Sequence, residues 1–150
     1  MDSSPRLQHV LILDNHSDHV QTIRDTLAQG RDDCQVVAIA HPDEAIQYLR
    51  RQNPYGEVPR PNLILLDPTL AVTPQTPDGL TILATIKADP QLKRTPIVVL
   101  TLSDDEATVF NSYLLQGNCY VIKSSNLKQL TNIVKRIEEF WLGIVTLPAE

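Results

Sequence analysis

Short apolar runs recur along the chain, and between them lie segments whose apolar residues are spaced three and four apart. Five runs read as β-strands: His9 to Asp14, Gln35 to Ile39, Asn62 to Asp67, Pro96 to Thr101 and Cys119 to Ile122. The first, third and fourth are apolar at consecutive positions, as in Val10-Leu11-Ile12-Leu13 and Leu63-Ile64-Leu65-Leu66, which predicts central strands covered on both faces. The second and fifth are shorter or more mixed and belong at the edges. Helical spacing marks Val20, Ile23 and Leu27, then Ala45, Ile46 and Leu49, then Leu80, Leu83 and Ile86. It returns at Val109, Tyr113 and Leu114, and in a last helix at Leu127, Leu130, Ile133, Val134 and Ile137. Pro42 or Asp43 can open the second helix, Ser103 or Asp104 the fourth and Asn126 the last, while Gly30 and Gly117 stand where helices end. Strands alternating with helices and joined by right-handed crossovers give an α/β fold: a (βα)5 doubly wound, flavodoxin-like parallel sheet of order 2-1-3-4-5. Asn53 to Pro61 reads as a loop, and Pro68 to Asp78 is the longest irregular stretch.

Composition narrows the class. A length of 150 residues fits one domain, residues 1–150, with a core over about 8–141 and a tail over 142–150. Hydrophobic residues at 42% and charged residues at 21% are enough for a buried core. A net charge of −5 supplies no basic field, so no direct nucleic-acid partner is expected. No apolar run approaches the roughly 20 residues of a membrane span, and Met1 to Arg6 carries no export signal, so the expected location is cytoplasmic with no membrane partner. Cys34 and Cys119 each sit alone in an apolar run, which predicts buried thiols. Five glycines leave no Gly-rich phosphate loop, so nucleotide hydrolysis is set aside. Six of the 11 prolines cluster: Pro54, Pro59 and Pro61 precede the third strand, and Pro68, Pro74 and Pro77 follow it.

In an open parallel sheet, reactive groups gather where the carboxyl ends of the central strands open into a crevice. The residues there are Asp14 and Asn15, Asp67, Thr101 and Lys123. Paired carboxylates suit a hard divalent cation such as Mg²⁺. A lysine offers a point charge to anionic oxygens and a threonine offers a hydrogen bond, and an Asp between cation and lysine is a competent nucleophile toward a phosphoryl donor.

This order of residues resembles the receiver domain of two-component response regulators, over about residues 8–148. Pro59 to Asp67, Leu92 to Thr101, Phe140-Trp141-Leu142 and Val145-Thr146-Leu147-Pro148 look most like the stand-alone cyanobacterial response regulators that pair with phytochrome histidine kinases. The resemblance implies a non-enzymatic phosphoacceptor that at most catalyses its own phosphorylation and dephosphorylation. Asp67 would accept a phosphoryl group from a sensor histidine kinase. Mg²⁺ would be held by Asp14, Asn15, Asp67 and the backbone carbonyl of Thr69. Lys123 would pair with the phosphate, Thr101 and Tyr120 would form the switch, and a downstream signalling protein would read the changed surface.

Three positions depart from that family. Asn15 stands where a metal-binding acid is usual, and an amide oxygen ligates Mg²⁺ without contributing charge. Asp18 would compensate only if the helix start moved. The Pro68 to Gly79 segment is about four residues longer than usual, and such loops are more often functional than short ones. Ser124 follows Lys123 where a cis proline is usual, so a trans bond and a slightly displaced Lys123 are expected. These departures leave a second reading: a degenerate, phosphorylation-independent receiver used as a binding and dimerisation module.

Blander readings stand beside these. Asp67 could cap a turn, and Asp14-Asn15 could cap the first helix. His16 and His19 are three apart, but no third ligand follows in sequence and a solvated helix face is expected; His9 and His41 carry no signal. Phe140 and Trp141 are either a core anchor or part of a homodimer interface, and the apolar tail from Leu142 to Pro148 keeps the second reading open. Asp67-Pro68-Thr69 resembles the nucleophile motif of haloacid-dehalogenase-type phosphatases only in part, because that motif wants an acid where Thr69 stands.

Overall fold

The alternation of side chains along each strand decides how the sheet is covered. The computed structural model describes residues 8–30, 33–67, 79–102 and 119–144. Within them, β1 (Gln8–Leu13), β2 (Cys34–Ile39), β3 (Leu63–Leu66), β4 (Ile97–Thr101) and β5 (Cys119–Ile122) pair in parallel in the order β2-β1-β3-β4-β5. That is the expected order. β3 and β4 are shorter than expected, though the Asn62 and Asp67 N–H groups still donate to His9 and Leu13 and the Pro96 carbonyl still accepts from Ile64, at the ends of the ladder.

Leu11, Leu13, Ile64, Leu66, Ile97 and Val99 face one side of the sheet and pack against α2 (Pro42–Leu49) and α3 (Gly79–Ala88) through Ala45, Leu49, Ile82 and Ile86. Val10, Ile12, Leu63, Leu65, Val98 and Leu100 face the other side and meet α1 (Ser17–Gly30) and α4 (Leu127–Ile137). Every residue of β3 is at most 2% exposed, and each such side chain contributes about 1.5–3 kcal/mol of burial. That two-sided burial is why the strand reads as an unbroken apolar run. At the edges the pattern loosens: Val37 on β2 and Ile122 on β5 are exposed, and Cys34 and Cys119 are half-buried free thiols. The expectation of fully buried thiols fails for this reason, since each stands on an edge strand with a neighbour on one side only.

α4 begins where Asn126 accepts a hydrogen bond from the Gln129 backbone N–H at 3.1 Å, a side-chain N-cap. Its Leu130, Val134 and Ile137 stripe is buried, and Lys135 and Arg136 in the last turn suit the negative end of the helix dipole. The chain then passes directly into a π-helical turn, Glu138–Ile144, which turns Leu142 into the core and leaves Phe140 53% exposed. The expected fourth helix around Val109, Tyr113 and Leu114, the loop from Pro68 to Asp78 and the tail beyond 144 lie outside the described residues.

Candidate functional site

The ladder itself assembles the site. Leu13 is paired with Leu66, and the Asp67 N–H donates to the Leu13 carbonyl at 2.9 Å, while the Asp14 N–H donates to Ile39 at 3.3 Å. Both acids thus leave the sheet at the same level. On the other side the Lys123 N–H donates to the Thr101 carbonyl at 2.8 Å, bringing the ends of β4 and β5 to the same rim. Asp14, Asp67, Thr101 and Lys123 are all buried, the last despite its length and charge.

Buried charges persist only when paired. The Lys123 Nζ is 2.5 Å from Asp14 Oδ2 and 3.0 Å from Asp67 Oδ2, so one ammonium serves two carboxylates. Burial by itself pushes the Asp14 carboxyl up, but the Lys123 charge and hydrogen bond, with two hydrogen bonds from His16, hold it below the usual carboxylate range. The other Asp14 oxygen, Oδ1, accepts from the His16 backbone N–H at 2.9 Å and lies 2.7 Å from the His16 ring Nδ1. Asp14 therefore anchors the turn into α1 as well as the ion pair, and is not the helix N-cap.

The expectation of a solvated face for His16 and His19 is overturned. The His16 ring is two-thirds covered and turned inward, with Nδ1 3.4 Å from Asp67 Oδ2. His19 is only 4% exposed, because the inward stripe of α1 runs His19, Ile23, Thr26 and Leu27. The two rings stack with centroids 4.8 Å apart. The Asp14 carboxylate at the preceding strand end stands with them: the Asp14, His16 and His19 atoms that could hold a metal all lie within 4.8 Å of one another. Burial, followed by the Lys123 charge, pushes the His19 pKa down. The sequence did hold a signal for this, since 19, 23, 26 and 27 follow the i, i+4, i+7, i+8 spacing of one helix face.

Asn15 is exposed and lines, with Asp14, Ser17, Arg24 and Ala40, a cavity of about 350 Å³. Asp18 faces outward at 65% side-chain exposure, and its carboxylate accepts from the His19 backbone N–H, so it does not replace the missing acid. The Lys123–Ser124 bond is trans, as expected, and Lys123 still reaches both carboxylates. Ser124 donates to Gln129 and accepts from the Asn126 N–H, which fixes the start of α4. Thr69 and the Tyr120 side chain lie outside the described set; the Tyr120 backbone pairs with Val99.

A second cavity, of about 320 Å³, opens beside edge strand β5 between Cys119, Val121, Ile133, Arg136, Phe140 and Trp141. Trp141 packs against the α1/α4 core, and Phe140 meets its ring edge-on at 5.1 Å with its own outer face exposed. No described helix is long and apolar enough to cross a membrane.

Comparison with known proteins agrees with this geometry. The family model described as response regulator receiver domain matches residues 10–135. Response regulator Rcp1 of Synechocystis sp. is 42% identical over 148 residues, covering 99% of this chain and 97% of Rcp1. The crystal structure of the phosphorylated cyanobacterial phytochrome response regulator RcpA superposes with a TM-score of 0.88 at 43% identity, covering 95% of this chain and 99% of RcpA. The Mn²⁺-bound form of Rcp1 gives 0.86 at 41% identity, over 95% of this chain and 99% of that one. With a five-stranded sheet in the order 2-1-3-4-5 and two acids and a lysine converging at its carboxyl rim, the chain belongs to the response regulator receiver domain family.

Proposed function

We propose that this chain is the phosphoacceptor of a two-component phosphorelay, taking a phosphoryl group on Asp67 from the phosphohistidine of a sensor histidine kinase and signalling by protein contact. The observation that carries the reading is a buried Asp67 carboxylate 3.0 Å from a buried ammonium that it shares with Asp14. In the transfer, an Asp67 oxygen forms the new P–O bond as the P–N bond to the kinase imidazole breaks, and the departing imidazole keeps the electron pair and is protonated. On this reading Lys123 would exchange Asp67 for the more highly charged phosphoryl oxygens, and the Thr101 hydroxyl would donate to them.

Two buried carboxylates at one rim are a donor set that fits a hard divalent cation. The residues that would hold Mg²⁺ are Asp14, Asn15, Asp67 and the Thr69 carbonyl, and the bound ion would neutralise the phosphoryl oxygens as the nucleophile approaches. Asn15 brings an oxygen without a charge, so binding is weaker than an acid there would give. Phosphorylation adds about −1.5 to −2 of charge beside Lys123 and Thr101, enough to bias a two-state rearrangement of Thr101 and Tyr120 and of the surface they support.

The likeness to RcpA and Rcp1 makes a phytochrome kinase the partner we propose. The half-open apolar cavity beside β5, with Phe140 exposed at its mouth, supports a homodimer contact through Phe140 and Trp141. To test the acceptor, the chain is incubated with phosphoramidate and Mg²⁺ and its intact mass is measured. Wild type gains one phosphoryl group and Asp67→Asn gains none; an unmodified wild type at every Mg²⁺ concentration leaves the phosphorylation-independent receiver as the correct reading.

A further inference from the structure

Next to the carboxylate pair, the start of α1 carries an arrangement that phosphoryl transfer does not use. His16 is the residue just before α1 and His19 lies in its first turn. Their stacked rings and the Asp14 carboxylate form the group whose ligating atoms lie within 4.8 Å. An ion with bonds of about 2.1 Å holds its ligand atoms about 3 Å apart when adjacent and about 4.2 Å apart when opposite. The spread from the 2.7 Å of Asp14 Oδ1 and His16 Nδ1 to the 4.8 Å limit brackets that range.

Two further features point to a ligand. The His19 Nδ1 is buried with no hydrogen-bond partner among the described residues, although His19 is 96% covered, and a buried bare polar nitrogen in a native fold needs a reason. The two Asp14 oxygens are also divided: Oδ2 holds Lys123, and Oδ1 lies on the side of the His16 ring and accepts the His16 backbone N–H, so Oδ1 can ligate a cation while the ion pair stays intact.

We infer that Asp14, His16 and His19 form a site for an imidazole-preferring divalent transition metal, of the class of Co²⁺, Ni²⁺ and Zn²⁺. Mg²⁺ takes oxygen ligands and gains nothing from the two rings, whereas the later first-row ions bind imidazole strongly. A +2 ion here also offsets the excess negative charge of two carboxylates facing one ammonium. The site shares Asp14 with the proposed Mg²⁺ site but does not depend on Asp67 being phosphorylated.

The test uses the metal alone, without phosphodonor, so that its failure is separate from failure of the acceptor reading. Co²⁺ is titrated into the full chain and followed by its d–d absorption, and X-ray absorption at the cobalt edge counts the imidazole ligands. Two imidazoles are expected, with Co²⁺ bound at least tenfold more tightly than Mg²⁺, and His16→Gln and His19→Gln each weakening Co²⁺ binding about tenfold or more. Fewer than two imidazoles on the wild-type chain overturns the inference whether or not the variants fold, and so does a Co²⁺ affinity that folded His16→Gln and His19→Gln chains retain.

Discussion

Replacing Lys123 with Met removes the one ammonium that Asp14 and Asp67 share while keeping most of the side-chain volume. Both carboxylates remain buried, at 4% and 1% exposure, and stripping a buried pair of its partner costs about 3–5 kcal/mol. The loss at neutral pH has a ceiling, because the folded chain can instead protonate one carboxyl. For a group with an ordinary pKa near 3.9, that costs about 1.36 kcal/mol per pH unit, or about 4 kcal/mol at pH 7 and about 1.5 kcal/mol at pH 5. The variant is therefore expected to be about 3–4 kcal/mol less stable than wild type at pH 7, and to lose less than half as much at pH 5. In the wild type the sign is opposite. Asp14 has a folded pKa below its unfolded one, so its contribution is complete above the unfolded value of about 3.9 and disappears as pH falls through the folded value. Urea unfolding at the two pH values, followed by the single tryptophan, Trp141, measures both quantities. A penalty under about 1 kcal/mol at pH 7, or one that is the same at pH 5, would refute the placement of the ammonium between the two acids.

Asn15→Asp adds a charge at the rim of the cavity beside Asp14 and should tighten Mg²⁺ binding about tenfold by calorimetry, whereas an unchanged affinity removes Asn15 from the metal's ligands. Phe140→Ser alters an exposed ring and should lower the mass seen by light scattering without changing the unfolding midpoint; a parent chain that is already monomeric ends the dimer reading. Asn126→Ala removes the cap of α4 and should cost about 1 kcal/mol in urea, with no cost meaning that the Gln129 N–H is satisfied by water instead.

The sheet was legible because its central strands are buried on both faces, so Val10 to Leu13, Leu63 to Leu66 and Ile97 to Leu100 could hardly be anything else in a chain of this spacing. Given that sheet, the carboxyl ends of its strands named Asp14, Asp67, Thr101 and Lys123 without any further information, and the ladder does bring them to one rim. His16 and His19 are not legible in this way, because two polar residues at a helix start read as solvated when hydrophobicity alone sets the stripe. In the fold, burial follows position: His19 occupies the same face as Ile23 and Leu27, and the Asp14 carboxylate draws the His16 ring inward. The half-buried thiols have a similar origin, since Cys34 and Cys119 lie in apolar runs, but on strands with only one neighbour. The π-helical turn after Ile137 carries no local signal at all; it is set by tertiary packing, which needs Leu142 in the core while Phe140 stays outside.

The central claim is that Asp67 carries the phosphoryl group, and an acyl phosphate has a chemistry that marks its own position. Borohydride reduces it to an alcohol, converting a phosphorylated aspartate into homoserine. The chain, treated with phosphoramidate and Mg²⁺, reduced and digested, should yield homoserine at position 67 in the peptide that follows Leu66, and at no other aspartate. Homoserine at Asp14 or elsewhere, or none at position 67 when the donor is in excess, would contradict the account.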